Sequence, residues 1–193
     1  MQRAVLAVLV ALILASADGA WTVQAQSPQR PSWLDGPIVN WNTPGMNIPK
    51  APAQRRWGGL PAICPEEPVA LDTPEGHAVG AAGWLQVSEL ARGWGQTVIF
   101  AQHGSDGMCR PIDFQVFVFV DGKFAGSVAP SPMSSRVDGS GEVAWIGSEG
   151  VVVRYTRYAQ NDPLCCPSRP SVDVLFTVDR DDPAPVLFIA HRR

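Results

Sequence analysis

The chain has 193 residues, with 15 Lys and Arg against 18 Asp and Glu and a formal net charge of −3 at pH 7. Proteins that bind nucleic acid by neutralising phosphates carry basic surfaces, so we expect no nucleic-acid partner. Hydrophobic residues make up 46% of the chain and charged residues 17%, which excludes a disordered acidic tail. The 18 Gly and 18 Pro indicate many turns, and the length suits one globular domain with a sizeable core.

Residues 1–25 have the pattern of a secretory signal peptide. A positively charged start precedes an unbroken run of 12 apolar residues over 4–15, and small residues follow where a signal peptidase reads the chain. We expect cleavage after Ala25, with Ala17 and Ala20 as alternative sites and an uncleaved anchor as the other outcome. The run is shorter than the roughly 20 residues of a transmembrane helix, so we expect no stable transmembrane segment after cleavage. The predicted location is secreted or periplasmic.

A Pro-rich segment, residues 26–69, follows the signal peptide. It holds 9 of the 18 prolines and no apolar periodicity, a composition that opposes helices and central strands alike. We expect an extended arm that contributes little to the core and covers apolar surface with Trp33, Trp41 and Trp57. The alternative is that these tryptophans form a strip for stacking on a sugar or for binding a partner.

Residues 70–193 have the pattern of a mainly β domain, with α+β as the variant because residues 74–92 could hold a helix. Seven short runs are apolar or alternate with period two, as β-strands do. The runs occupy residues 97–101, 114–120, 123–128, 142–146, 151–158, 172–178 and 186–190. Asp121-Gly122 and the segment 147–150 are hairpin-turn signals. We predict a single domain built on an antiparallel meander sheet.

The order of these strands gathers three long loops at one end of the sheet, the long-loop end. Each hairpin reverses the chain, so the tight turns share one end and the long loops share the other. The predicted loops cover residues 103–111, 129–141 and 160–170. Cys109 and the adjacent pair Cys165-Cys166 therefore lie at the same end of the molecule.

The four cysteines are Cys64, Cys109, Cys165 and Cys166. An oxidising compartment favours disulfides, and all four are candidates. A bond between the neighbours Cys165 and Cys166 would close a strained ring, so we expect each of them to bond to one of Cys64 and Cys109, with both assignments open. One bond would staple loop to loop and the other arm to domain. The alternative is a zinc site, although adjacent cysteines lack the usual ligand spacing, and we expect no metal.

Several strings in the second half of the chain are distinctive. They are Asp106-Gly107-Met108-Cys109-Arg110-Pro111, the segments 117–126 and 135–139, and Asp162-Pro163-Leu164-Cys165-Cys166-Pro167-Ser168. These strings resemble the LppP/LprE family of bacterial envelope proteins. The resemblance covers about residue 80 to the C-terminus, and the Cys-Cys string is unusual enough to make it specific. Many members resemble lipoproteins with a cysteine at the cleavage point, where this chain has none. The resemblance implies an exported bacterial protein without established activity and supplies no catalytic residues.

The candidate ligand-binding residues are Arg110, Arg136, Arg169 and His103, which the strand order places at the long-loop end. Guanidinium groups bind carboxylates and small anions in bidentate fashion, so the arginines are candidates for a ligand cradle. The other interpretation is that they tie the loops together by pairing with aspartates of these loops or with backbone carbonyls. The residues alone leave both interpretations open.

These residues do not assemble a catalytic set, so we assign no catalytic residue and no cofactor. We expect a non-enzymatic, disulfide-stapled envelope or secreted domain that binds an unidentified envelope component or small ligand through the long-loop end. The alternative is a hydrolase acting on envelope material, with His103 and a loop carboxylate as the acid-base pair. A third hypothesis is a purely structural role in the envelope.

Overall fold

The structure is a computed structural model that describes residues 32–53, 64, 71–180 and 184–193. The predicted signal peptide and Trp57 lie outside these residues. The elements are a 3-10 turn over Trp33–Asp35, helix α1 (Pro74–Ala81), and strands β1 (Gln86–Gly93), β2 (Gln96–Ser105), β3 (Pro111–Val120), β4 (Lys123–Ser127), β5 (Gly141–Gly147), β6 (Gly150–Arg157), β7 (Arg169–Asp179) and β8 (Val186–Arg192).

The strands form two antiparallel four-stranded sheets, with orders β1-β2-β3-β4 and β5-β6-β7-β8. The predicted mainly β class is thus confirmed, and both hairpin turns lie where the sequence indicates them. The single predicted meander is divided into two, because the connection over residues 128–140 leaves the edge of the first sheet and begins the second.

Strand β3 lies at the centre of the domain, and the side chains of Phe114–Val120 are buried on both of its faces. Val118 packs in the core between the two sheets, which also contains Phe176 of β7. Phe117 points the opposite way and packs in a second core with Trp84, next to α1. The layers are therefore α1, the first sheet and the second sheet, which explains why β3 reads as a continuous apolar run.

Residues 74–92, where the sequence allows a helix, divide into α1 and β1. Thr73 caps α1, since its hydroxyl oxygen accepts a hydrogen bond from the Gly76 amide at 3.1 Å. In β1 a bulge between Glu89 and Ala91 shifts the register. Side chains on the two sides of the bulge consequently enter different cores, the one next to α1 and the one between the sheets. The alternation of apolar and polar residues that would identify this strand is therefore lost.

The expectation that the arm contributes little to the core is wrong for residues 32–53. Leu34 is 4% exposed and belongs to the core between the sheets. The Trp33 ring lies 5.2 Å from that of Tyr155, and the Trp41 ring lies 6.2 Å from that of Phe176. These edge-on aromatic contacts close one side of the sandwich, so the two tryptophans serve packing.

Asn42 attaches the arm to the edge of the first sheet. Its amide donates to the Ser127 carbonyl at 3.0 Å, and its carbonyl accepts from the Ser127 amide at 2.9 Å. The side chain thus pairs with the end of β4 as a neighbouring strand would and protects that edge. Gly126 permits this approach, because a Cβ at that position would lie 2.4 Å from Asn42.

We predict that Asn42→Asp destabilises the domain by about 1–3 kcal/mol at neutral pH. The Ser127 carbonyl keeps its hydrogen bond from Trp41 Nε1 at 3.0 Å, but it loses the Asn42 donor and faces a buried carboxylate oxygen instead. Acidification should reduce the loss, because a protonated carboxyl regains a donor. Urea unfolding followed by tryptophan fluorescence at pH 7 and pH 4 measures both effects. Asn47→Asp is the matched control, since Asn47 is exposed. Equal losses in the two variants would contradict the pairing role of Asn42.

Candidate functional site

The three long loops meet at one end of the domain, as the strand order predicts. They cover residues 106–110, 128–140 and 158–168. Nε of Arg136 lies 3.7 Å from Oδ2 of Asp106, which joins the first two loops. The Tyr158 hydroxyl lies 2.9 Å from the Ser135 carbonyl oxygen and 2.6 Å from that of Leu164, which joins the second and third.

The carboxylate of Asp106 organises the first loop and is 5% exposed. Oδ1 accepts from the backbone amides of Met108 at 2.8 Å and Arg110 at 3.0 Å. Oδ2 accepts from Nε of Arg110 at 2.9 Å and from its Nη2 at 2.6 Å. Four donors therefore saturate the carboxylate and fix both the turn and the guanidinium.

The pKa of Asp106 reflects two opposing causes. Burial raises it, while the hydrogen bonds from the Arg110 side chain and from the backbone amides of Arg110 and Met108, together with the positive charge of Arg110, lower it by more in sum. The net pKa lies below the ordinary value of 3.8. The ionised carboxylate therefore stabilises the fold above the unfolded-state pKa, and this contribution is lost as the pH falls through the lower folded-state pKa.

The third loop is held by hydrogen bonds within the loop and by a hydrogen bond from the first loop. Within it, the Asp162 carboxylate accepts from the Ala159 amide at 2.6 Å and from the Ser168 amide and hydroxyl, each at 2.7 Å. From the first loop, Nη1 of Arg110 donates to the Leu164 carbonyl. These bonds fix the turn that precedes Cys165.

The structure contradicts the predicted cysteine pairing. Cys64 bonds to Cys109, with a Cα–Cα distance of 5.3 Å, and Cys165 bonds to Cys166. The Asp106 turn holds Cys109 in a left-handed conformation, φ 59°, while Cys64 Sγ lies 3.7 Å from the Asp106 carbonyl oxygen. Once Cys64 and Cys109 are bonded, Cys165 and Cys166 can bond only to each other. The arm is still stapled to the long-loop end, through Cys64.

The three candidate arginines lie in two separate ion-pair groups. Arg110 and Arg136 share the Asp106 carboxylate. Arg169 instead donates to Asp35 of the arm at 3.1 and 3.2 Å, and Arg157 binds the same carboxylate. Hydrogen bonds from Arg169 and Arg157 lower the pKa of Asp35. Arg169 thus ties the arm to β7, a contact that sequence reasoning missed because Asp35 lies far away along the chain.

His103 lies inside β2, which extends to Ser105, so its predicted position in a long loop is wrong. It stands two residues beyond Ala101 and therefore faces the same side of the sheet, the side of the α1 core. Both ring nitrogens are buried without a hydrogen-bond partner in the described chain. The imidazole is therefore not paired with Asp106.

Each long loop also presents an exposed apolar side chain, which sequence reasoning did not single out. Met108 is 77% exposed, Val137 47% and Leu164 42%. Both members of the Cys165-Cys166 pair are exposed as well. The available signal was an apolar residue inside an otherwise polar or Gly- and Pro-rich loop, where no core exists to cover it.

Within the part of the chain that the structure describes, no three His, Cys, Asp or Glu side chains are grouped as metal ligands. None of the helices in the described residues is both long and apolar enough to span a membrane.

We predict that Asp106→Asn destabilises the domain by about 1.5–3 kcal/mol, because the amide cannot accept both Arg110 donors and leaves the guanidinium without a counter-charge. Chemical denaturation at pH 7 measures the loss. Asp173→Asn provides the control: Asp173 also binds an arginine twice, Arg154 at 2.8 Å, but that pair is exposed and should contribute little. A larger loss of stability in Asp173→Asn than in Asp106→Asn would show that burial does not determine how much this ion pair stabilises the domain.

Comparison with known proteins gives one family match. No curated protein and no solved structure matches the chain. The model of the family described as LppP/LprE lipoprotein matches residues 94–181, a shorter range than the sequence strings indicate. This range contains all three long loops. The family resemblance is confirmed over this range: residues 94–181 are similar to the LppP/LprE lipoprotein family.

Proposed function

We propose that the chain is an exported envelope protein whose long-loop end binds a partner or small ligand without catalysing a reaction. The family match supports the envelope assignment, and the signal pattern of residues 1–25 supports export. Secreted or periplasmic release after cleavage at Ala25 is part of the proposal.

The observation that carries the binding function is the set of exposed apolar side chains on three fixed loops. Met108, Val137 and Leu164 come from different loops, yet all three loops are joined by hydrogen bonds and ion pairs. Exposed apolar groups held on a rigid frame are typical of an interaction surface, because binding removes them from water without a large ordering cost.

The arginines of the first two loops add a polar component to this surface. Arg136 is 44% exposed, and its 3.7 Å contact with Asp106 is longer than a hydrogen bond. Arg110 is more firmly held and 27% exposed. Of the two, Arg136 is better placed to receive a carboxylate or another anionic group of the bound partner.

The hydrolase alternative has less support. A general acid-base pair needs an imidazole and a carboxylate within hydrogen-bonding reach of each other or of the substrate. The ring nitrogens of His103 are buried without a hydrogen-bond partner in the described chain, and the Asp106 oxygens are occupied by Arg110 and backbone amides. These contacts favour binding over His103-dependent catalysis.

Site-specific photo-cross-linking in the host tests the proposal. A photoreactive phenylalanine analogue replacing Val137 should give a discrete adduct, whereas the same analogue replacing Ser148, which is exposed in the tight turn at the opposite end, should not. Leu164→Asp should weaken the Val137 adduct because it places a charge in the apolar surface. No adduct at position 137, or the same adduct from position 148, would contradict the proposal.

The enzyme alternative is tested on the purified chain with glycan and peptide substrates. Our proposal predicts that neither the unmodified chain nor the His103→Ala variant turns over these substrates. A turnover that disappears in His103→Ala would reject the non-enzymatic proposal in favour of the hydrolase.

A further inference from the structure

The two disulfides differ in both burial and position. Cys64 is 8% exposed and joins Cys109, which is exposed, across 45 positions of sequence, so one of the two cysteines of this bond is buried. Cys165 and Cys166 are adjacent, and both are exposed on the third loop. A reductant dissolved in the surrounding medium therefore has direct access to the adjacent pair.

The adjacent bond adds little to the stability of the fold. In the chain-entropy model, a cross-link stabilises by restricting the unfolded chain, and the restriction grows with the number of residues enclosed. The Cys64–Cys109 bond encloses 45 positions, whereas the Cys165–Cys166 bond spans a sequence separation of 1. The first bond is thus structural, and the second leaves the unfolded chain almost as free as before.

The frame of the third loop does not depend on the Cys165–Cys166 bond. Asp162 closes the loop through Ala159 and Ser168, and Leu164 is held by Arg110 and Tyr158. None of these contacts involves a cysteine sulfur. Reduction of the pair should therefore leave the loop anchored, with two thiols presented where one disulfide was.

We propose that Cys165 and Cys166 form a reversible redox site that exchanges two electrons with a protein dithiol of the Cys-x-x-Cys class. This inference rests on the proposed function, because it names the chemistry of a partner that meets the long-loop end. The exposed Met108 and Leu164 side chains supply apolar surface for that encounter.

The exchange is balanced in atoms and electrons. A thiolate of the reductant attacks one sulfur of the pair, the Cys165–Cys166 bond breaks, and a mixed disulfide forms while the other sulfur leaves as a thiolate and takes up a proton. The second thiol of the reductant, once deprotonated, then attacks the mixed disulfide. The reductant leaves oxidised, and this chain gains two electrons and two protons.

Arg110 favours the reduced state of the exchange. Its guanidinium contacts the carbonyl of Leu164, the residue before Cys165. A permanent cation that contacts the backbone of the same loop favours the thiolate that leaves when the disulfide opens. Arg110→Gln should therefore slow the exchange, while Arg154→Gln, on the exposed face of the second sheet, should leave the rate unchanged.

The test is a timed reaction of the full chain with reduced thioredoxin, stopped with N-ethylmaleimide and mapped after tryptic digestion. The three cysteine-containing peptides are 57–92, 93–123 and 158–180, since Arg110 and Arg169 precede proline. We expect peptide 158–180 to acquire two labels at least about tenfold faster than peptides 57–92 and 93–123 separate. Both cysteines of the adjacent pair are exposed, whereas Cys64 is buried, and access to the sulfurs limits the rate of exchange. A thioredoxin with its second cysteine replaced by serine should be trapped on peptide 158–180.

The control variant is Cys165→Ser/Cys166→Ser, which should keep the melting temperature of the unmodified chain and form no trapped adduct. Opening of Cys64–Cys109 before or together with the adjacent pair would overturn the proposal, as would a large fall in melting temperature in this variant. Cross-linking from position 137 distinguishes the redox site from the binding function. If the adduct forms but no thiol exchange occurs, only the redox site is rejected. If no adduct forms, the binding function is rejected.

Discussion

The buried carboxylate of Asp106 is the constraint on which the long-loop end depends. It closes the turn that orients Cys109 towards Cys64, and it fixes the guanidinium of Arg110. Arg110 in turn holds the Leu164 carbonyl and thereby the turn that carries the adjacent cysteines. A carboxylate removed from water with four donors satisfied is costly to disturb, so one side chain determines the position of two loops and, through a disulfide, of the arm.

The architecture behind this end follows from local pattern to a large extent. The buried run of β3, the alternation of β7 and the Asp121-Gly122 hairpin are each encoded by neighbouring residues, and the structure contains all three. Strand order then suffices to gather the long loops, because antiparallel reversal is a rule of topology. Strand β1 is the exception, since its bulge between Glu89 and Ala91 breaks the period that identifies a strand.

The remainder of the site depends on contacts between distant residues, which carry no local signal. Asp35 meets Arg169 across 134 positions, and Asn42 meets Ser127 across 85. A Pro-rich composition alone indicates an extended arm and does not indicate that its side chains enter the core. The predicted cysteine pairing is wrong for a related reason. Ring strain disfavours a bond between Cys165 and Cys166, but the turn that commits Cys109 to Cys64 carries no signal in the sequence. Partner choice is decided by proximity as well as by ring geometry.

The most direct test of this account is the disulfide map of the exported chain, digested with trypsin without reduction after free thiols are blocked. We predict that peptide 57–92 is linked to peptide 93–123, and that peptide 158–180 runs unlinked, unlabelled, and two hydrogen atoms lighter than its reduced form. A link from peptide 158–180 to either of the other two would contradict the Asp106-directed pairing and the separation of a structural bond from an exposed one.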